Sequence, residues 1–397
     1  MSRPIDKSMS RRQALQTMGA VGAGALAATK SVPAFATTEW TPTPHPMAEE
    51  FFVFDGVAHC YNHSEINRRI KRSGDRALDV SYSYHAWSTP ERYRMSPAQY
   101  NRDWQPEEVM DVIFLESHTD MMVMHSTPIY DVFWDGLISN EKGAFLKDKY
   151  PDRVLWYGAL DLFDPLEAVK AKIDQLVSQG ADGIKLYPTR TNLQTQQSEG
   201  WFMDDKKQAF PVFEYLQSKG VRDVATHKLV GYTGPETAAL GIDDYYEAAK
   251  AFPELTFHLV HAGWLLFEES AELMRQRENV TAVLEGPMLW GIYDPDNFNK
   301  MMSVFMRKVD IDRIIYASTA PNQHPYWIVN SFFDYQPSKG AGFSISDHQK
   351  AKILGGNLAR YHGIDIPARR AVLAKDKYAR TKAANGLREP YIIQRSA

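Results

Sequence analysis

From residue 51 onward, eight short apolar runs recur along the chain, separated by longer stretches whose apolar residues fall at three- and four-residue spacing. The runs are Phe51–Phe54, Met121–Met124, Val154–Gly158, Gly183–Leu186, Asp223–Thr226, Leu255–Val260, Val280–Leu284 and Ile314–Ala317. Their length and β-branched content predict strands buried on both faces. The intervening stretches Pro106–Ser117, Pro165–Gln179, Gln208–Lys219, Ile242–Phe252, Leu266–Arg277 and Asn297–Lys308 predict amphipathic helices. Strands that alternate with helices build a parallel sheet, and eight such units close into a (β/α)8 TIM barrel, with its chemistry at the C-terminal ends of the strands.

The rhythm breaks in three places. Between the first two strands lies an aromatic and basic stretch, about 61–104, carrying Tyr82, Tyr84, His85, Trp87, Tyr93 and Tyr100. It reads as an insertion over the barrel mouth or as a surface meander, the former because long connections in compact domains commonly serve as lids. A second loop, 187–205, follows the fourth strand at the same end. A last helix, Ser346–His362, stops at Gly363, and the charged tail from Pro367 wraps the body or a neighbouring subunit, so a homo-oligomer stays open. The chain thus divides into residues 1–36, a Pro-rich leader 37–50, a barrel 51–366 and a tail 367–397.

The first segment is not part of the fold. Ser10-Arg11-Arg12-Gln13-Ala14-Leu15 is a twin-arginine pattern, followed by a run of small apolar residues from Met18 to Ala28 and by Ala34-Phe35-Ala36, an A-x-A cleavage site. The run is too short and too rich in Gly and Ala to span a bilayer. Export by the twin-arginine machinery to the periplasm follows as an expectation, with no membrane attachment once the signal is removed. The net charge of −4 includes five basic residues and one acidic residue from this segment, so the mature chain carries −8. Neither value suits a protein held to nucleic acid by a basic face. With 44% hydrophobic and 24% charged residues the composition is that of a soluble globular protein. The single cysteine, Cys60, excludes an intrachain disulfide and a cysteine-built zinc site.

Polar residues that end apolar strands carry the candidate chemistry. The first strand runs into Asp55, Val57 and His59, the fifth ends at His227, and the sixth ends at His261. Period-two alternation puts Asp55, Val57 and His59 on one face, and Phe257, Leu259 and His261 on one face, with His258 directed to the helix layer. Three histidines then converge on one mouth, as ligands or as hydrogen-bonded structural residues. Glu285 ends the seventh strand and Lys185 the fourth. Glu285 is a general base or acid, or the salt-bridge partner of Lys185 or Arg190. Cys60 has opposite parity to His59 and is a bystander.

These residues, taken in order, carry a resemblance. Asp55…His59, Gly183-Ile184-Lys185-Leu186-Tyr187-Pro188, His227, His261-Ala262-Gly263-Trp264 and Ile353-Leu354-Gly355-Gly356-Asn357-Leu358-Ala359-Arg360 resemble the amidohydrolase superfamily. The likeness is to its amidohydrolase-related branch, which includes decarboxylases of aromatic and aminomuconate-type acids, and it spans about 51–363. It implies a barrel whose strand ends hold a divalent metal, zinc above all, and an aspartate that takes the proton of the attacking water. Two positions depart from the pattern. Val57 stands for the first histidine of D-x-H-x-H, and Thr319, in Ser318-Thr319-Ala320-Pro321, stands for the aspartate of the eighth strand. His59, His227 and His261 remain, enough for a catalytic zinc with an open position; equally, the site has given up its metal. His324 replaces a lost ligand or contacts substrate. A carbamylated Lys185 bridging two metals is not expected with a strand-one histidine missing.

Three functions follow. The first is hydrolysis of a C–N or C–O bond in a small cyclic or aromatic molecule, with Glu285, His227 and His261 catalytic. Lys185, Arg190, Trp87, Trp290 and His324 would bind the substrate, and Tyr187, Trp201, Trp264 and Trp327 would complete an aromatic fringe. The second is a metal-independent lyase, a decarboxylase or hydratase, in which Lys185 or Arg190 holds a carboxylate. The third is a barrel that binds a ligand without turnover.

Overall fold

Each barrel strand is buried on both faces, and the two faces pack against different partners. In the computed structural model, which describes residues 40–195, 197–231, 238–264 and 266–396, the barrel strands are β1 (Phe54–Ala58), β2 (Met121–His125), β3 (Val154–Leu160), β4 (Gly183–Leu186), β7 (Asp223–His227), β8 (Thr256–Val260), β9 (Val280–Val283) and β10 (Ile314–Ile315). Two further strands, β5 (Thr189–Thr191) and β6 (Ser198–Gly200), form an antiparallel hairpin in the loop after β4. All neighbouring pairs in the eight-stranded sheet are parallel. The ring closes where β1 meets the chain after β10: Gly56 N–H donates to the Tyr316 carbonyl at 3.0 Å, Thr319 N–H to Val57 at 2.9 Å and His59 N–H to Ala320 at 2.7 Å. The expected TIM barrel is what forms. The 1–36 segment lies outside the described residues.

Met121, Val123, Leu155, Tyr157, Ala225, Val260, Val283 and Ile315 pack together inside the ring. Their strand neighbours Met122, Trp156, Ile184, Val224, Phe257 and Ala282 join the larger layer under the helices. The interior is thus a packed plug rather than a pore, with the candidate site at its rim. The predicted crossover helices form within three residues of their expected bounds, as Pro106–Phe114, Leu166–Ser178, Ala209–Ser218, Tyr245–Ala251, Phe267–Gln276 and Pro295–Lys308. Two others, Asn140–Lys149 and Pro325–Asp334, complete the outer layer.

The first strand departs from expectation. The run 51–53 lies below the ladder, where the Val53 carbonyl accepts from Asp120 N–H at 2.8 Å, and the paired segment starts at Phe54. The closing helix presses on this lead-in: a Cβ on Gly355 would stand 2.0 Å from the Phe52 carbonyl oxygen, so only glycine fits. That helix, expected as one piece over 346–362, carries a π-helical segment at Lys352–Gly356.

The insertion after β1 lies over the mouth. Its main element is an 18-residue helix, Lys71–Ser88, whose Ser81 and Tyr84 reach the cavity beneath. A buried latch joins it to the loop after β10, where the Asn322 side-chain amide donates to the Ser81 carbonyl at 2.9 Å and to the Tyr100 hydroxyl at 2.5 Å. The tail packs on the same molecule as three helices, Ile366–Leu373, Lys377–Asn385 and Ile392–Ser396. No helix among the described residues is long and apolar enough to cross a membrane.

Candidate active site

Inward-facing positions at the strand ends decide which side chains meet. In phase with the barrel plug, the last inward residue is His125 on β2, Lys185 on β4 and His227 on β7, with Glu285 just beyond β9. His59 and Thr319 continue from the two segments that close the ring. His261 arrives differently. Val260 faces the barrel interior and Phe257 and Leu259 face the helices, the reverse of the phase expected from sequence. His258 therefore points into the barrel, where it binds Asp223 at 2.9 Å and Thr281 at 2.7 Å. Straight continuation of β8 would send His261 outward, but its φ of 64° is left-handed and turns the ring back to the site.

Glu285 is the centre of the group. It is 4% exposed; its Oε1 accepts a hydrogen bond from the Thr319 hydroxyl and stands 3.5 Å from His59 Nε2. Its Oε2 is 3.8 Å from His261 Nε2, and both of these atoms are buried without a hydrogen-bond partner. The tautomers follow from the backbone. His59 Nδ1 lies 3.1 Å from the His125 carbonyl and His261 Nδ1 lies 3.1 Å from the Glu285 carbonyl. A carbonyl only accepts, so each Nδ1 carries a proton and donates it there, which leaves Nε2 as the ring atom that faces Glu285. Burial alone would raise the Glu285 carboxyl, but His261, His59 and the Lys185 ammonium hold it well below the usual carboxylate range. Burial lowers His261, opposed by the Glu285 charge.

Lys185 is 1% exposed and lines the same cavity. Among the described residues its ammonium joins no ion pair, so the alternative of a Lys185–Glu285 salt bridge does not form: the Glu285 oxygens face His59 and His261 instead. Burial brings the Lys185 amine down to about 8, opposed by the Glu285 charge. The cavity has a volume of about 90 Å³ and opens to solvent, and Tyr61, Tyr84, Ile129, Leu137, Tyr187 and Trp264 give it apolar and aromatic walls.

The remaining sequence candidates lie elsewhere. Arg190 pairs with Glu199 across the β5–β6 hairpin at 3.0 Å and covers the Phe163 ring, because the hairpin turns its guanidinium along the loop. His324 is fully buried, 3.0 Å from Glu116, and caps the helix Pro325–Asp334. Trp87 packs on Tyr293 and Trp290 stacks on Trp264; neither is among the residues lining the cavity, and Trp201 and Trp327 are core. His227 is at the cavity, but its Nε2 donates to the Val230 carbonyl at 2.7 Å. Cys60 is buried with its thiol donating to the Trp104 carbonyl at 3.3 Å, and burial pushes it up to about 12, so it is inert. The sequence reading missed His125, whose two ring nitrogens are buried and unpartnered. The signal was there: His125 is in phase with Met121 and Val123.

The residues present do not fit a bound ion. Val57 offers no donor atom, Thr319 gives its hydroxyl proton to Glu285, and His227 has committed Nε2 to a backbone carbonyl. Among the described residues no three His, Cys, Asp or Glu side chains are arranged to hold one metal.

The sequence model of the family described as amidohydrolase matches residues 96–363, well over half of the chain. The chain belongs to the amidohydrolase family. The matched span begins after β1, so the segment carrying Val57 and His59 lies outside it. No curated protein matches the sequence. Among solved structures, an uncharacterised TIM-barrel protein from Bordetella bronchiseptica superposes with a TM-score of 0.56 at 16% identity, over 80% of this chain and 99% of that one. The 5-carboxyvanillate decarboxylase of Novosphingobium aromaticivorans, complexed with manganese and 4-hydroxy-3-methoxy-5-nitrobenzoic acid, gives 0.52 at 15%, over 82% and 100%. The 2,6-dihydroxybenzoate decarboxylase from Rhizobium gives 0.50 at 14%, over 78% and 98%. At such identities the likeness establishes the barrel.

Proposed function

We propose that this amidohydrolase is an exported hydrolase that cleaves a C–N or C–O bond in a small cyclic or aromatic molecule by acid–base chemistry of its own side chains. The observation that carries this reading is the buried, unpartnered Oε2 of Glu285, in a carboxylate whose other oxygen is held by Thr319. A carboxylate kept ionised and fixed at one oxygen presents the second as an acceptor for a water proton. His261, with its Nε2 turned to Oε2, relays that proton. Lys185, protonated below about pH 8, stabilises the oxyanion or delivers a proton to the departing nitrogen or oxygen. The walls of Tyr61, Tyr187 and Trp264 suit a flat ring.

The test is a panel of aryl lactones, lactams and cyclic amides in H₂18O, with Glu285→Gln and Lys185→Met as controls. Glu285→Gln is expected to lower kcat about 10²- to 10⁴-fold, the usual contribution of a general base, with product carrying one 18O. Wild-type turnover retained in Glu285→Gln would sink the assignment. One observation favours a second reading, a lyase acting on an aromatic or unsaturated carboxylate: a buried ammonium without an ion-pair partner is suited to hold a substrate carboxylate. Release of CO₂, or addition of water across a double bond, in place of hydrolysis would select it.

Export rests on the N-terminal pattern alone. Replacing Arg11 and Arg12 by lysine should leave the protein in the cytoplasmic fraction, uncleaved; unchanged periplasmic recovery would reject twin-arginine routing.

A further inference from the structure

The loop that carries Thr319 is held from two sides by parts of the chain far from it in sequence. On its site side, Thr319 N–H donates to Val57 and its hydroxyl to Glu285. Thr319 sits at φ 66°, a conformation a non-glycine residue keeps only where its surroundings hold it. On the mouth side, His85 Nδ1–H of the insertion helix donates to the Asn322 carbonyl at 3.2 Å. Between these two contacts lies the Pro321 carbonyl, and there the C-terminal tail takes hold: the Tyr391 hydroxyl donates to it at 2.7 Å.

Tyr391 is itself anchored. It is fully buried, and its backbone N–H donates to Glu116 Oε2 at 2.7 Å. The same oxygen lies 3.0 Å from His324 Nε2. His324 Nδ1 accepts from Tyr326 N–H at 3.2 Å, so Nε2 carries the proton and is the donor to Glu116. The Tyr391 ring lies edge-on to His324, with centroids 4.7 Å apart. One buried carboxylate therefore ties the tail to the residue that begins the helix after the loop, and one phenol ties the tail to the loop.

We propose that Tyr391, supported by Glu116, is a positioning residue: the tail clamps residues 319–324 so that the Thr319 hydroxyl stays on Glu285. Neither residue lines the cavity. The inference rests on Glu285 as the reacting base, but the clamp itself can be measured without any substrate.

Full-length Tyr391→Phe, Glu116→Gln and Glu116→Leu are compared with wild type by amide hydrogen exchange and thermal melting. Losing one buried hydrogen bond should speed exchange across 317–324 about three- to tenfold, with β3 unchanged. Glu116→Gln, which keeps an acceptor for Tyr391 N–H, should restore most of the protection that Glu116→Leu loses, and Glu116→Leu serves as the second variant should Tyr391→Phe fail to fold. On a substrate the wild type turns over, Tyr391→Phe should lower kcat and leave KM within about twofold. Wild-type exchange across 317–324 in Tyr391→Phe, or acceleration that spreads equally to β3, overturns the clamp. Faster loop exchange with unaltered kcat overturns its positioning role, and unaltered kcat in Glu285→Gln as well would place the error in the assigned base.

Discussion

Asp55 shows how one side chain serves the barrel and constrains its pH range. Its Oδ1 accepts from Ser318 N–H at 2.9 Å and Val57 N–H at 3.1 Å, and its Oδ2 accepts from the Ser318 hydroxyl. It is therefore a staple across the seam where β1 meets β10. Burial nonetheless pushes its carboxyl up to about 7, with a further contribution from Glu285. A raised folded-state value means the native protein binds this proton more tightly than the unfolded chain. The contribution is fully present below about pH 4 and is lost as pH rises through about 7, on the order of 4 kcal/mol in all. Asp55→Asn removes the titration while keeping one acceptor. Urea unfolding at pH 5 and pH 8 should shift the stability difference toward the variant by about 2–3 kcal/mol at the higher pH. Parallel stability in both proteins at both values would show that Asp55 does not titrate in this range.

At the scale of elements, the strand ends illustrate both the reach and the limit of sequence periodicity. On β2, β4 and β7, and on the chain just past β9, the inward phase holds up to the rim, so His125, Lys185, His227 and Glu285 follow from alternation alone. On β8 the same rule fails. The phase in the strand is opposite to the one that would aim His261 inward, and a single left-handed residue at its end reverses the direction. Such a turn leaves no trace in an apolar pattern. Gly286 marks the neighbouring place where backbone conformation is equally decisive: at φ 87° a Cβ there would stand 2.5 Å from the Trp264 ring. The residue after the base is thus constrained by the wall of the cavity. Arg190 was legible as a loop cation but not as one consumed by its own hairpin, because β5–β6 pairing depends on two short segments without a strong strand signal.

For the whole molecule, the ring closure, the insertion helix and the tail converge on residues 318–324. Ser318 closes the seam, Thr319 holds Glu285, Pro321 takes the tail and Asn322 takes the insertion. The segment that in the family's pattern would end in a metal-binding aspartate is here a structural junction. With Val57 and Thr319 in place and His227 bound to its own loop, the purified protein should contain well under one equivalent of zinc or manganese by elemental analysis. Prolonged chelation should leave its melting temperature unaltered. One tightly held equivalent, lost from His59→Ala and His261→Ala alike, would contradict this reading of the donor set.

The amino-acid sequence by itself determined the barrel, its eight strands and the side chains at most of their ends. Burial on two faces imposes an apolar run, and alternation assigns each side chain to a face whatever lies across from it. It determined equally that Val57 and Thr319 carry no ligand atoms of the kinds expected, since that is a matter of residue type. Only the tertiary structure decided that Glu285 turns to Thr319 and the two histidines rather than to Lys185, that His227 spends its proton on a nearby carbonyl, and that the tail reaches the loop beside the site. Those outcomes depend on which of several chemically acceptable partners comes within hydrogen-bond distance. That choice is made by backbone turns and long-range packing, which no local pattern encodes.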